Sequence, residues 1–232
     1  MTLRMLRTLP SLPALAALCV LTLSALQPAA ADESQRRFKV LQPDEMTQAQ
    51  KDLVKAIQSG PRASVAGSAA NSGGGTVGSP FNVFLRSPEL GNSLQQAGSY
   101  IRFKSVLGFK LNELAILVTA RYWSAQYEWF AHHRLALQAG LDPKIAEDIA
   151  NGRTPNAMSR EEAAVYQFSR ELHYDKQVSD ATYKAVLDLF GEQGVMDLLA
   201  VNGYYSMVSM ILNTDRTPIP GGGKPPLPVL KP

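Results

Sequence analysis

From Leu90 to Ile211 apolar residues recur at intervals of three or four positions, and no convincing period-two alternation appears anywhere in the chain. That spacing puts apolar side chains on one face of a helix and on both faces of a strand, so the chain is expected to be all-α. The helix boundaries are signposted. Ser87-Pro88-Glu89 sets a cap, a first-turn proline and an acid ahead of Leu90, Leu94, Ala97 and Ile101, in a helix expected to end near Gly108. Residues 111–123 follow with Leu114, Ile116, Leu117 and Val118, and residues 126–139 read helical up to Gly140, a C-terminal stop. Asp142-Pro143 restarts a short helix, and Ser159-Arg-Glu-Glu162 is a capping box for the next, with Val165, Phe168 and Leu172 on one side. A helix from Ser179 or Asp180 carries Tyr183, Val186, Leu187 and Phe190. The last, 193–213, is apolar nearly all round and is expected to be the buried central helix.

The flanks differ in kind. Residues 1–31 have the order of a secretory signal: Arg4 and Arg7, an apolar run over 12–26, then Ala29-Ala-Ala31. Cleavage after Ala31 would export the protein to the periplasm or the cell exterior. The apolar run is shorter than the roughly 20 residues that span a bilayer, and nothing later in the sequence reads as a span. Within 32–79, Thr47-Gln-Ala-Gln50 fits a capping box for a short helix, and 61–79, rich in Gly, Ser and Ala, reads as a mobile loop. A compact domain is expected over 80–214, and a Pro- and Gly-rich tail over 215–232 running across the surface or a neighbouring subunit.

Charge and cysteine exclude whole classes of function. The formal net charge is +3, and without the leader 21 basic residues face 20 acidic ones, or +1, so binding of nucleic acid on bulk charge is disfavoured. The single cysteine is Cys19, inside the leader, so the exported chain would have no thiol for redox chemistry, disulfides or metal ligation.

Reactive side chains concentrate in Tyr127-Glu-Trp-Phe-Ala-His-His133. Glu128 and His132 are one helical turn apart and face the same way, so the carboxylate orients the imidazole and favours its charged form, as a general acid or base near neutral pH requires. The same spacing also occurs in plain surface ion pairs, and Trp123, Trp129 and Phe130 suit a core as well as a pocket. Tyr127 and Trp129 are candidate pocket residues, and Arg121 or Arg134 a candidate anchor for a substrate carboxylate. His133 lies about 100° further round and is expected to face solvent or a subunit contact. His173, near a helix end, reads as a capping or surface residue. No metal site or cofactor is expected; with Glu113, Glu128 and His132 as its only prospective ligands, a metal is the weaker alternative.

The stretch Glu113-Leu-Ala-Ile-Leu117, Tyr127-Glu-Trp129, His132 and Ala139-Gly140, with Gly203-Tyr-Tyr-Ser-Met207 and Leu212-Asn213, resembles the carboxymuconolactone decarboxylase-like family, whose other branch is the alkylhydroperoxidase D enzymes. The resemblance covers about 81–213. It implies an alkylhydroperoxidase D-like helical bundle with an antiparallel pair at its centre, formed here by 111–123 and 126–139, and assembly into trimers or hexamers. In the peroxidase branch a glutamate, two cysteines and a histidine form the site; registered on His132 they fall on Glu113, Ala125, Glu128 and His132. Both thiols are missing here, while the acid–base half remains. Three functions therefore stand: a cofactor-free lyase or isomerase for a small carboxylated, lactone-like acid, with His132 as proton donor and Glu128 and Glu113 as its partners; a peroxidase-type antioxidant lacking the usual thiols; and an exported small-acid-binding protein without turnover.

Overall fold

The computed structural model describes residues 35–65 and 67–230, which form eight α-helices and no strand. The expected leader lies outside the described residues. The helices are α1 (Gln48–Gln58), the single turn α2 (Phe81–Phe84), α3 (Pro88–Lys104), α4 (Gly108–Tyr122), α5 (Gln126–Gln138), α6 (Pro143–Ala150), α7 (Arg160–Tyr174) and α8 (Asp180–Asp215). Both capping boxes form. The Thr47 and Ser159 side chains accept from the backbone N–H three residues on, and Gln50 and Glu162 reach back to the cap residue's own N–H. Gly108, at φ +73°, separates α3 from α4, so the residue expected to close one helix opens the next.

The centre of the bundle is α4, and this corrects the expectation that the last helix is. Every residue of α4 from Leu111 to Arg121 is buried, and the helix packs against α5, α7 and α8. Helix α8 instead buries one face, with Val195, Leu198, Val201, Tyr205 and Val208, and leaves Met196 at 63% and Met210 at 44% exposure. Its apolar character all round overstated its burial. Gly191, at φ +67°, kinks it between the two segments read from the sequence. The merged helix is by length and composition sufficient to cross a membrane, contrary to the sequence expectation, although half of its most apolar window is buried inside the protein.

Helix α3 also packs differently from its apolar pattern. Leu90 is exposed, and the buried positions are Gly91, Gln95, Gly98 and Ile101. A Cβ at Gly91 would stand 2.7 Å from the Phe84 carbonyl oxygen, so the missing side chain is what lets α3 approach α2.

The segment 61–79 is not an unpacked loop. It begins with a 3₁₀ turn, Pro61–Ser64, and contributes Ala70 and Val77, both essentially inaccessible, to a second core with Leu53, Val54, Ile57, Phe81, Phe84 and Leu85. Small residues fail to form a core of their own, but they fill space left by larger neighbours. This N-terminal unit is tied to the end of α8 by Asp215, which is fully buried. Its carboxylate accepts from Arg36 Nη1 at 2.9 Å, Ser79 Oγ at 2.8 Å, Thr217 Oγ1 at 2.8 Å and the Phe38 backbone N–H at 3.0 Å.

His173 is likewise not a surface residue. Its Nε2 lies 2.9 Å from Thr119 Oγ1, and that hydroxyl joins Asn202 and, through it, Ser169 in a buried polar network across α4, α7 and α8. Burial lowers the His173 pKa to about 4, so the ring is neutral at physiological pH. The tail beyond α8 is held on this chain: Leu227 is buried and exchanges two hydrogen bonds with the Gln126 side chain.

Removing the Asp215 carboxylate leaves several buried donors without an acceptor. Asp215→Ala is expected to lower the unfolding free energy by about 3–5 kcal/mol, against less than about 1 kcal/mol for Asp188→Ala in its exposed pair with Lys184. Urea melts of the two variants measure the difference.

Candidate functional site

Helix α5 follows α4 after a connection of only three residues, Trp123 to Ala125, in which Ser124 adopts φ +48° and the Ala125 N–H returns to the Ala120 carbonyl. This tight reversal lays α5 back along α4 and sets Glu113 of one helix against His132 of the other. The His132 Nδ1 to Glu113 Oε2 distance is 2.6 Å, and both side chains are buried. This short hydrogen bond occupies Nδ1 and leaves Nε2 as the ring nitrogen available for proton exchange. Nε2 faces Glu128 Oε1 at 3.4 Å, one turn back on α5. Behind Glu113, Arg102 Nη2 of α3 stands 3.7 Å from Oε1. The Tyr205 ring of α8 meets the imidazole edge to face, with centroids 5.0 Å apart.

Of these groups His132, Glu128, Arg102 and Tyr205 border a cavity of about 80 Å³, room for a few waters or one small organic molecule. His132, Glu128, Arg102, Tyr204 and Tyr205 form its bundle side. Arg62, Ser68, Ser79 and Phe81 close it from the N-terminal unit. The Gly- and Ser-rich segment is thus a wall of the site.

Burial decides the protonation of the wall. Glu128 is pushed up to about 7, first by loss of solvation and then by the negative charge of Glu113; His132 and Arg102 pull it partly back. Its Oε1 has no hydrogen-bond partner among the described residues. Near pH 7 this carboxyl therefore passes readily between its acid and carboxylate forms, 3.4 Å from the imidazole Nε2, the condition under which proton transfer to a ligand is efficient. Burial raises the Tyr204 hydroxyl to about 12 and Tyr205 well above the ordinary phenol range, so both keep their protons as hydrogen-bond donors.

Of the residues expected from the sequence, Glu128, His132 and Tyr127 border this cavity, and Glu113 stands behind them, in contact with His132. Arg121 does not. Its guanidinium donates to the carbonyls of Ala150 and Pro228 and to Ser124 Oγ, on the far side of α4, where it clamps the C-terminal tail. Trp129 is buried beneath the site and stacks on the half-buried His133, so neither borders the cavity. Arg134, the other candidate anchor, does line it. Sequence reasoning missed Arg62, Arg102, Tyr204 and Ser79. One signal was available for Arg62, the sole charged residue between Lys55 and Arg86. Among the described residues no group of three or more His, Cys, Asp or Glu side chains is gathered as for a metal ion.

No known protein family matches the sequence, and no curated protein does so significantly. A solved structure does match: the uncharacterized peroxidase-related protein from Silicibacter sp. TM1040, with a TM-score of 0.58 at 16% identity, over 85% of this chain and 95% of that one. At that identity the likeness is one of fold, and it agrees with an alkylhydroperoxidase D-like all-helical architecture.

The raised Glu128 predicts a specific pH dependence of stability. Below about pH 4.5 the carboxyl is protonated whether the chain is folded or not. Between about 4.5 and 7 the unfolded chain gives up this proton and the folded chain keeps it, so stability falls as pH rises and levels off above about 7. Glu128→Gln removes that loss. Its Tm is expected to equal that of the native protein near about pH 4 and to exceed it by several degrees near about pH 8, at roughly 2–4 °C per kcal/mol.

Proposed function

We propose that the protein is a cofactor-free acid–base catalyst, a lyase or isomerase for a small carboxylated, lactone-like acid. The observation that carries this reading is the buried His132, with Nδ1 held by Glu113 and Nε2 turned to Glu128, whose carboxyl is raised to about 7, at the wall of a cavity. In a decarboxylation the bond from carbon to the substrate carboxylate breaks, carbon dioxide leaves, and the electron pair passes into the ring as a dienolate. Glu128 or His132 then delivers its proton to carbon, and water restores it. A cavity with little solvent favours this sequence, because it penalises the starting carboxylate more than the dispersed charge that follows. For an isomerisation the same pair removes a proton from one carbon and returns it to another.

The peroxidase-related neighbour suggests a second reading, reduction of hydroperoxides. The usual dithiol chemistry needs two cysteines at one site, and this chain has only Cys19, with Ala125 and Glu128 where the resemblance would put them. Export and assembly into a homo-oligomer belong to the proposal as well. The exposure of Phe103, Val106, Phe109, Met196 and Leu199 is compatible with the second of these.

Carboxymuconolactone and related lactone acids test the reading directly. The purified protein is expected to release carbon dioxide or shift the ultraviolet spectrum of at least one of them. His132→Asn is expected to lower kcat by roughly 10²–10⁴-fold, and His133→Ala to leave it unchanged. Turnover that survives in His132→Asn sinks the assignment. With cumene hydroperoxide and a dithiol reductant the rate is expected to stay at background, and robust reduction would restore the peroxidase reading.

A further inference from the structure

Buried charges in folded proteins are paired, and most of those here comply. Arg36 meets Asp215 at 2.9 Å, Arg102 stands 3.7 Å from Glu113, and Arg121 is taken up by two carbonyls and a hydroxyl. Arg62, like Arg121, has no carboxylate partner, but it has one acceptor where Arg121 has three. It is 5% exposed, and among the described residues no carboxylate lies within salt-bridge distance of it. One donor, Nη1, is used by the Gln95 carbonyl at 2.7 Å. The guanidinium carbon stands 5.4 Å from the centroid of the Phe81 ring. The rest of the group borders the cavity that holds His132. Arg102, bordering the same cavity, adds positive charge rather than relieving it.

The surroundings are shaped to hold this cation in place. A Cβ at Gly98 of α3 would lie 2.3 Å from the Tyr204 hydroxyl and 2.4 Å from Arg62 Nη2, so the absent side chain makes the space both groups occupy. Placing a guanidinium without a carboxylate partner in a largely buried position is costly unless an anion completes it. The planar fork of donors suits a carboxylate. So does the volume of about 80 Å³, bounded on other sides by apolar Pro80, Phe81, Leu135 and Val208.

We propose that Arg62 is the receptor for the carboxylate of a small organic acid bound in this cavity, supplied by the N-terminal unit to a site whose acid–base groups belong to the bundle. The proposal rests on the acid–base reading for what happens to that acid afterwards, but its own content is binding. It replaces Arg121, which is occupied with the tail, as the anchor.

The test uses the full chain and binding by calorimetry, with 2-furoate, benzoate and muconolactone as probes, each beside its neutral amide, and with inorganic phosphate. At least one acid is expected to bind with a Kd tenfold or more below that of its amide and of phosphate. Arg62→Gln is expected to weaken that acid roughly 10- to 100-fold and to leave the amide unchanged. Gly98→Ala, which keeps the charge but displaces the guanidinium, is expected to weaken it in the same direction, so the proposal stays testable if Arg62→Gln does not fold. Arg121→Gln is expected to bind as the native protein does. Equal binding of acid and amide, tighter binding of phosphate, an Arg62→Gln variant that binds normally, or no binding of any acid at about 10 mM overturns it. The two readings fail separately. Discrimination between acid and amide that persists in His132→Asn, in a protein that turns nothing over, defeats the catalytic reading alone. Turnover with an unchanged KM in Arg62→Gln defeats the receptor alone.

Discussion

A helix buried on every side cannot carry an ionised carboxylate without a donor supplied by its neighbours. Helix α4 is such a helix, and Glu113 is its acid. The chain meets the requirement with one short contact from His132 and a longer one from Arg102. That requirement fixes the face of α5 that turns inward, since only the face bearing residue 132 satisfies Glu113. It brings Glu128 in with it, because residues one turn apart share a face. The high pKa of Glu128 follows, first from its burial and then from the negative charge of Glu113 beside it.

The bundle by itself makes only half of the cavity. The other half comes from the N-terminal unit, which has a core of its own and is fastened by Asp215 to the end of α8. The two halves carry different chemistry. Proton-exchanging groups lie on α4 and α5, and the uncompensated Arg62 lies on the added unit, so a change in the unit would alter what binds without rebuilding what reacts.

Where local signals decide structure, the sequence was legible. The capping boxes at Thr47 and Ser159, the stop before Gly140 and the break near Gly191 all occur as read, because each depends on contacts within a few residues. Periodicity misled where it was used to rank burial. Helix α8 is more continuously apolar to the eye than α4 yet only half of its most apolar window is buried, and α3 packs through glycines that an apolar pattern does not register. Arg121 and Arg62 show the same limit at the site. One is spent on the tail at Pro228 and the other is left facing the cavity, and only long-range packing assigns them these places.

The sequence alone determined the helical class, most helix boundaries and the pairing of Glu128 with His132, since these follow from backbone geometry over one or two turns. It also determined that two cysteines are not available for a dithiol site. The tertiary structure decided that Glu113 closes on the same ring, that a Gly- and Ser-rich segment walls the cavity, and that Arg62 is a buried cation bordering that cavity with no carboxylate partner. Those outcomes depend on which surfaces remain after every apolar face has found its partner, and no spacing along the chain encodes that.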